Sequence, residues 1–531
     1  MSGVFVPTPE HEAFFDWIKR GPKGSSALLE AVAGSGKSST LIEATRLTAP
    51  SPTLYLAFNK SAVEEANQRG LGEHVAAQTL NGYGYRALLK ARPGVRPDKR
   101  QNSEMIARAM GLASRPDGRT RGHLLSSLDR QYLLIRDACD QLMSKAKASG
   151  LVPRAAIEQG IGVRTLVDDT ADNWAALAEA YEIDPPGKTG LAELVDIVRL
   201  ALVYGLQDTT GCDFDDQIYA TVALGLKMPV RYPWVFVDEA QDISQIQRAL
   251  LAAALAPGGR LVAVGDRNQA IYGFRGADST SLDRIAEEFG AVPFPLTVSY
   301  RCPKIVVQLA QRFVPQIQHA PAAKIGAVTV AASDLGDLPA DSWRPGADLV
   351  VCRTNAPLIR LAHRLMRLKV PCVVLGRDFG KGLLALLRKL KPYDLESLEP
   401  LLRAWAAKET AKALDKGRDS RAQAIEDQVE TLLAFASEAS DLAGLEVDLT
   451  QMFSDADATG SVRLSSIHRA KGSEAERVFV LDPHTMPSRW AKRPWQQEQE
   501  QNLIYVAVTR AKQELVFGAF GRPSETPRWA V

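Results

Sequence analysis

The stretch AVAGSGKSST, Ala31–Thr40, restricts what this chain can fold into more than any other. The segment before it, SSALLEAV (Ser25–Val32), is apolar enough for a short buried strand. The segment after it, SSTLIEATRL, sets Leu41, Ile42 and Leu47 at helical spacing. A strand that runs through a glycine-rich turn into a helix converges backbone N–H groups at a helix N-terminus, where the dipole also favours anions. The end of the phosphate-binding pattern G-x-x-x-x-G-K-[ST] is present as Gly36-Lys37-Ser38, while its first glycine is replaced by Ala31. The expectation is a nucleotide site. Ala33, Gly34, Ser35, Gly36, Lys37, Ser38 and Ser39 line the phosphates, Lys37 reaches the β- and γ-phosphates, and Ser38 ligates Mg²⁺.

A phosphate loop of this kind needs an acid for its metal, and WVFVDEAQDIS (Trp234–Ser244) supplies one at the end of the apolar run Val235–Val237. Asp238 is placed to hold Mg²⁺ and Glu239 to polarise the attacking water. A third apolar run, Leu261–Val264, opens RLVAVGDRNQAIYGFRGAD, which carries Gln269 as a γ-phosphate sensor. The same stretch carries Phe274 between Gly273 and Arg275, a setting that suits base stacking.

At 531 residues, 46% hydrophobic, 24% charged and +2 in formal net charge, the chain has material for several domains, and a nucleic-acid surface must be local. Arg86–Arg154 carries fifteen Lys/Arg against six Asp/Glu, whereas Ala155–Tyr204 carries three against nine. Arg92, Arg96, Lys99 and Arg100 are candidate phosphate contacts. The five cysteines form no C-x-x-C pair and have no metal-like spacing with histidine, which predicts reduced thiols. MSGVFVPTPE lacks the regions of a signal peptide, and no apolar run approaches 18 residues, so a cytoplasmic protein without membrane contact is expected.

These motifs, with LAFNKSAV (Leu56–Val63), LTVSYRCP (Leu296–Pro303), VVCRTNAPL (Val350–Leu358), IHRAKGSEAERVFVL (Ile467–Leu481) and QNLIYVAVTRAK (Gln501–Lys512), occur in an order that resembles the UvrD/Rep/PcrA group of superfamily 1 DNA helicases. The A-x-A-G-S-G-K-S loop is that group's variant of the phosphate loop, which accounts for Ala31. The resemblance implies an α/β motor of two RecA-like lobes with parallel sheets, each carrying a mainly helical insertion, with ATP and Mg²⁺ in the cleft. It places Tyr300 on the adenine, Glu474 at the ribose, and Arg301 and Arg510 on the γ-phosphate as arginine fingers. It sets Phe58, Asn59, Tyr272, Phe274 and His468 along a single-strand channel. PTPEHEAFFDW (Pro7–Trp17) resembles the group's adenine-reading motif with His11 where glutamine is usual. Two further departures are Asn81 in TLNGYGYRAL (Thr79–Leu88), where the group often has histidine, and Phe274 in place of tryptophan.

The expected organisation is a first lobe of residues 1–85 and 205–290 with a basic helical insertion at 86–204, and a second lobe of 291–380 and 455–531 with a short helical insertion at 381–454. The second insertion and the tail after the last motif are shorter than is common in the group, with no segment left for a nuclease domain. The implied function is an ATP-dependent helicase or translocase on single-stranded and forked DNA, moving 3′ to 5′. A translocase that strips proteins from DNA with little unwinding, and an ATP-switch scaffold without motor activity, are the alternatives.

Overall fold

Runs such as TLYLA (Thr53–Ala57) and DLVVC (Asp348–Cys352) are buried at every position, the pattern of parallel strands covered on both faces. The computed structural model, which describes residues 7–112, 127–271, 280–415, 418–454 and 460–530, builds them into two parallel sheets. Contacts divide the chain into two compact units. The first is Met1–Ala31, Lys37–Arg267 and Tyr272–Leu296; the second is Thr297–Val531 together with Val32–Gly36 and Asn268–Ile271.

The first unit contains strands β1 (Ser26–Ala31), β2 (Thr53–Ala57), β3 (Val75–Thr79), β4 (Tyr232–Val237), β5 (Leu255–Gly265) and β6 (Ala291–Leu296), in the order β3-β2-β4-β5-β1-β6. The period of two along a strand divides their side chains between two cores. Ala27, Leu29, Tyr55, Phe236, Val262 and Val264 pack on Phe14 and Ile18 of the helix Pro9–Arg20 and on Leu41 of the helix Lys37–Arg46. Leu28, Leu54, Leu56, Val235 and Leu261 face the other way, into a core continuous with Ile106, Leu142, Trp174, Val198 and Leu202 of the helical insertion. The first insertion therefore shares its core with the lobe.

The second unit holds β7 (Ala327–Val330), β8 (Asp348–Cys352), β9 (Cys372–Leu375), β10 (Phe453–Ser454), β11 (Val462–Ser466), β12 (Ala475–Leu481) and β13 (Ala511–Gly518), ordered β7-β13-β12-β8-β11-β9-β10. Its insertion consists of the helices Arg377–Leu390, Leu395–Asp415, Asp419–Ala436 and Leu442–Gln451. Two side chains one turn apart on the third of these fasten it to the lobe. Asp427 accepts hydrogen bonds from the Asn355 backbone N–H and Nδ2, both at 2.7 Å, and Gln423 Oε1 accepts from Arg353 at 3.0 Å.

The expected boundaries move: Val32–Gly36 and Asn268–Ile271, expected in the first lobe, group with the second unit. Residues 291–296, assigned from sequence to the second lobe, form β6 and pair with β1 over Ser26–Ala31. The segment AVPFPL reads poorly as a strand because it holds two prolines, which an edge strand tolerates and a central one does not. The basic run is also reassigned in part. Arg92 donates to the carbonyls of Leu206 and Asp208 at 2.7 and 2.6 Å, closing the C-terminal end of the helix Leu191–Gln207. Arg100 pairs with Asp98 at 3.3 Å.

Candidate nucleotide and DNA site

The phosphate loop leaves β1 and enters the helix Lys37–Arg46 through two glycines in the left-handed region, Gly34 at φ +74° and Gly36 at φ +80°. Such angles favour glycine. At Gly34 a Cβ would also come within 2.8 Å of Ser299 Oγ, so both conformation and space require it. Ser35 Oγ is buried and has no hydrogen-bond partner in the structure. An orphaned buried hydroxyl in this loop suits a phosphate oxygen, since an unmet buried donor is costly. Ser39 Oγ accepts from Arg69 at 2.9 Å.

Strand β4 delivers the two acids. Asp238 is buried, and its Oδ2 accepts from Ser38 Oγ at 2.5 Å and Tyr55 OH at 3.3 Å. Burial, with the neighbouring charge of Glu239, pushes the Asp238 carboxyl above its ordinary value, against the Ser38 hydroxyl and Lys37. A buried carboxylate beside a hydroxyl and a short reach from the phosphate loop is a hard oxygen donor set, which fits Mg²⁺ completed by phosphate oxygens and water. Glu239 follows in the left-handed conformation at φ +53°, rare for a residue with a side chain. That turn brings its carboxylate to 3.6 Å from Lys37 Nζ, and Gln241 Nε2 donates to its other oxygen. Gln241 Oε1 in turn accepts from the Asp266 N–H at 3.0 Å, tying the ends of β4 and β5 together. Tyr55 and Gln241 are members of this network that sequence reasoning missed.

In the second unit, Arg301 Nε donates to Glu474 Oε2 at 2.6 Å, and Lys512 Nζ lies 2.6 Å from the other carboxylate oxygen. The predicted finger and the predicted ribose residue are thus joined. Lys512, the last residue of the quoted VTRAK motif, was not singled out. The lowered Glu474 pKa reflects these two cations outweighing burial. Arg510 is 1% exposed and donates to the carbonyls of Val506 (2.8 Å) and Ser473 (3.2 Å) and to Thr509 Oγ1 (3.2 Å). Within the same unit Gly34 O accepts from the Tyr300 N–H and the Ala33 N–H donates to Tyr505 OH, each at 2.8 Å, while the Gln269 carbonyl accepts from Lys471 at 2.7 Å. The Tyr300 ring is 49% exposed.

His11 is corrected. Its Nδ1 accepts from the Thr8 N–H at 3.0 Å, which leaves the proton on Nε2 to be donated to Thr40 Oγ1 at 3.1 Å. Both ring nitrogens are engaged inside the protein, in a capping box at the start of the helix Pro9–Arg20. The buried imidazole therefore caps a helix in this structure.

Of the expected DNA contacts, Tyr272 and Phe274 lie outside the described residues. Asn59 caps the helix Lys60–Gln68, its Oδ1 accepting from the Ala62 N–H at 2.8 Å. His468 is half-buried. Phe58 is 58% exposed and lines a cavity of about 270 Å³ in the first unit, together with Asn81, Lys145 and a residue the sequence reading passed over, Phe214. Phe214 is 68% exposed. An aromatic set among three aspartates in CDFDDQ was the available signal.

Residues 18–290 match the family model of the UvrD/REP helicase N-terminal domain, and residues 405–521 match that of the UvrD-like helicase C-terminal domain. The chain is 26% identical to the ATP-dependent DNA helicase UvrD2 of Mycobacterium tuberculosis over 93% of its own length and 76% of that protein's. It is 24% identical to F-box DNA helicase protein 1 of Schizosaccharomyces pombe over 93% of this chain and 55% of that protein. With DNA helicase IV of Escherichia coli the identity is 26%, over 55% of this chain and 45% of that one. Among the described residues no helix is long and apolar enough to cross a membrane. With the first family match alone covering half of the chain, the protein belongs to the UvrD/Rep family of ATP-dependent DNA helicases.

Proposed function

We propose that the protein moves 3′ to 5′ along single-stranded DNA and separates strands at a fork, with ATP hydrolysis at Lys37, Ser38, Asp238 and Glu239 driving the movement. The observation that carries the single-strand reading is the pair of exposed rings, Phe58 and Phe214, at one cavity with Asn81 and Lys145. Exposed aromatics beside a cation are what sequence-tolerant base stacking uses, at about 1–3 kcal/mol per base.

In this reading Lys37 and the N–H groups of Ala33–Ser39 bind the triphosphate, and Ser38 with Asp238 would hold Mg²⁺. Held there, that ion would supply positive charge against the negative charge that develops on the phosphate. Glu239, oriented by Gln241, orders the attacking water and accepts its proton. Tyr300 stacks on the adenine, and Arg301, Arg510 and Gln269 act on the γ-phosphate. Phe58, Asn59 and His468 contact the strand together with Tyr272 and Phe274. Glu474 then holds the ribose after exchanging its bond to Arg301, so nucleotide binding frees the guanidinium for the phosphate.

The test compares ATP turnover with oligothymidylate, blunt duplex and an RNA strand, then unwinding of forks tailed at one end or the other. Stimulation by single-stranded DNA, with unwinding that requires a 3′ tail, is expected. Turnover indifferent to DNA overturns the motor reading, and unwinding that requires a 5′ tail overturns the direction. Removal of a bound protein block without strand separation replaces unwinding by protein displacement.

A further inference from the structure

Lys147 lies in the helix Ser127–Ser149 of the first insertion, is 1% exposed, and has no part in the nucleotide chemistry described above. Its ammonium carries three protons, and three acceptors surround it: Asn102 Oδ1 at 2.7 Å, Asp213 Oδ2 at 3.0 Å and Asp216 Oδ1 at 2.7 Å. Burial works against its charge, but Asp216 and Asp213 outweigh burial and keep it protonated.

The two aspartates are also closed on each other. The Asp213 N–H donates to Asp216 Oδ2 at 3.1 Å, and the Asp216 N–H donates to Asp213 Oδ1 at 2.6 Å. Between them, Ser144, one turn before Lys147, donates to Asp215 Oδ2 at 2.6 Å, and Asn81 Nδ2 donates to the Phe214 carbonyl at 2.7 Å. Four consecutive residues are thus held, Asp213, Phe214 and Asp216 at the backbone and Asp215 through its carboxylate. The ring at the centre of this mount is nevertheless left 68% exposed at the mouth of the cavity shared with Phe58.

A buried ion cluster is a poor source of stability, because desolvation offsets most of its attraction and an apolar substitute often serves as well. What it supplies is direction, since three N–H bonds at fixed angles specify where both carboxylates stand. The structure assigns Lys147 the role of a positioning residue that mounts Phe214 for stacking against a base of the DNA strand. This rests on the reading of the Phe58–Phe214 cavity as a single-strand site. Through Lys147 the helical insertion thereby acts on the DNA grip from behind, besides lining the cavity with Lys145.

The test measures the affinity of the full-length protein for a fluorescent oligothymidylate in Phe214→Ala, Lys147→Met, Ser144→Ala and the double variant Lys147→Met/Phe214→Ala. Phe214→Ala is expected to weaken binding by about 5- to 150-fold, the value of one base stack. Lys147→Met should weaken it within the same range and cause no further loss once Phe214 is absent. Its salt dependence should be that of the wild type, because loss of a direct contact to a single-strand phosphate would lower the slope by about 0.7. Wild-type affinity in Phe214→Ala overturns the stacking reading and this inference with it. Wild-type affinity in Lys147→Met with a weakened Phe214→Ala overturns the inference alone, as do additive losses or a lowered salt slope. If Lys147→Met does not fold, Ser144→Ala decides by the same cycle, with a smaller loss that vanishes in the Phe214→Ala background.

Discussion

Replacing Glu239 by glutamine separates nucleotide binding from chemistry. The substitution keeps the size of the side chain and leaves an amide oxygen to accept from Gln241 Nε2. It removes the charge that faces Lys37 across 3.6 Å, and since the Glu239 side chain is 35% exposed, that pair contributes about 1 kcal/mol or less. Against this loss stands a gain, because the charge of Glu239 is one of the causes that push the buried Asp238 carboxyl up. Folding stability should therefore change by less than about 1 kcal/mol. The chemical step loses a general base, typically a factor of about 10²–10⁴, or about 3–5 kcal/mol of barrier. Binding of a fluorescent ATP analogue should persist while DNA-stimulated phosphate release falls by that factor. Turnover within about tenfold of wild type, or loss of ATP binding with turnover to match, would refute the assignment of Glu239 as the base.

Lys37→Ala should fail differently, weakening ATP binding by about 30-fold or more, because a charge pair to the phosphates is truncated; unchanged affinity in a titration would remove Lys37 from the phosphate site. Arg260 lies between the rings of Trp17 and Trp234, 4.0 and 4.2 Å from their centroids, and donates to the carbonyls of Trp17, Ile18 and Ser25. Arg260→Met should cost about 3 kcal/mol in thermal or denaturant unfolding, and a loss below about 1 kcal/mol would show these contacts to be weak. Burial lowers the pKa of His11, against Glu10, so folded His11 is neutral where the unfolded chain, with its ordinary value of 6.5, begins to take up a proton. The stability tied to His11 is full above that value and is lost as pH falls through it. His11→Gln should flatten this part of the stability–pH curve and leave the preference for ATP over GTP where it was; a changed preference would return His11 to the base.

The residues that meet beside the glycine-rich loop were legible because each sits at a strand end, within a few residues of the loop, sheet or helix that positions it. Asp238 and Glu239 follow an apolar run, and Lys37 follows two glycines. What escaped depends on partners far along the chain. Lys147 and Arg92 look like any other basic residue of a solvated run until Asp213, 66 positions on, and the Leu206 carbonyl, 114 positions on, are brought to them. The partners of His11 were hidden for a related reason. Its motif fits a base-reading position, whereas the geometry of Thr8 and Thr40 decides what its two nitrogens can do. Strand β6 was displaced into the wrong lobe because prolines weigh against any strand, and nothing local tells an edge from a centre.

Those two prolines have a consequence for the protein in company. Pro293 and Pro295 are two residues apart on the outermost strand of the first sheet, so the N–H groups they lack belong to the same side, the side turned away from β1. An open parallel edge with a half-exposed valine beside it, Val292, would otherwise offer a template for another chain's strand. Here a docking strand would find carbonyls without their matching donors. Crowded copies can press together at this edge without knitting their sheets into one.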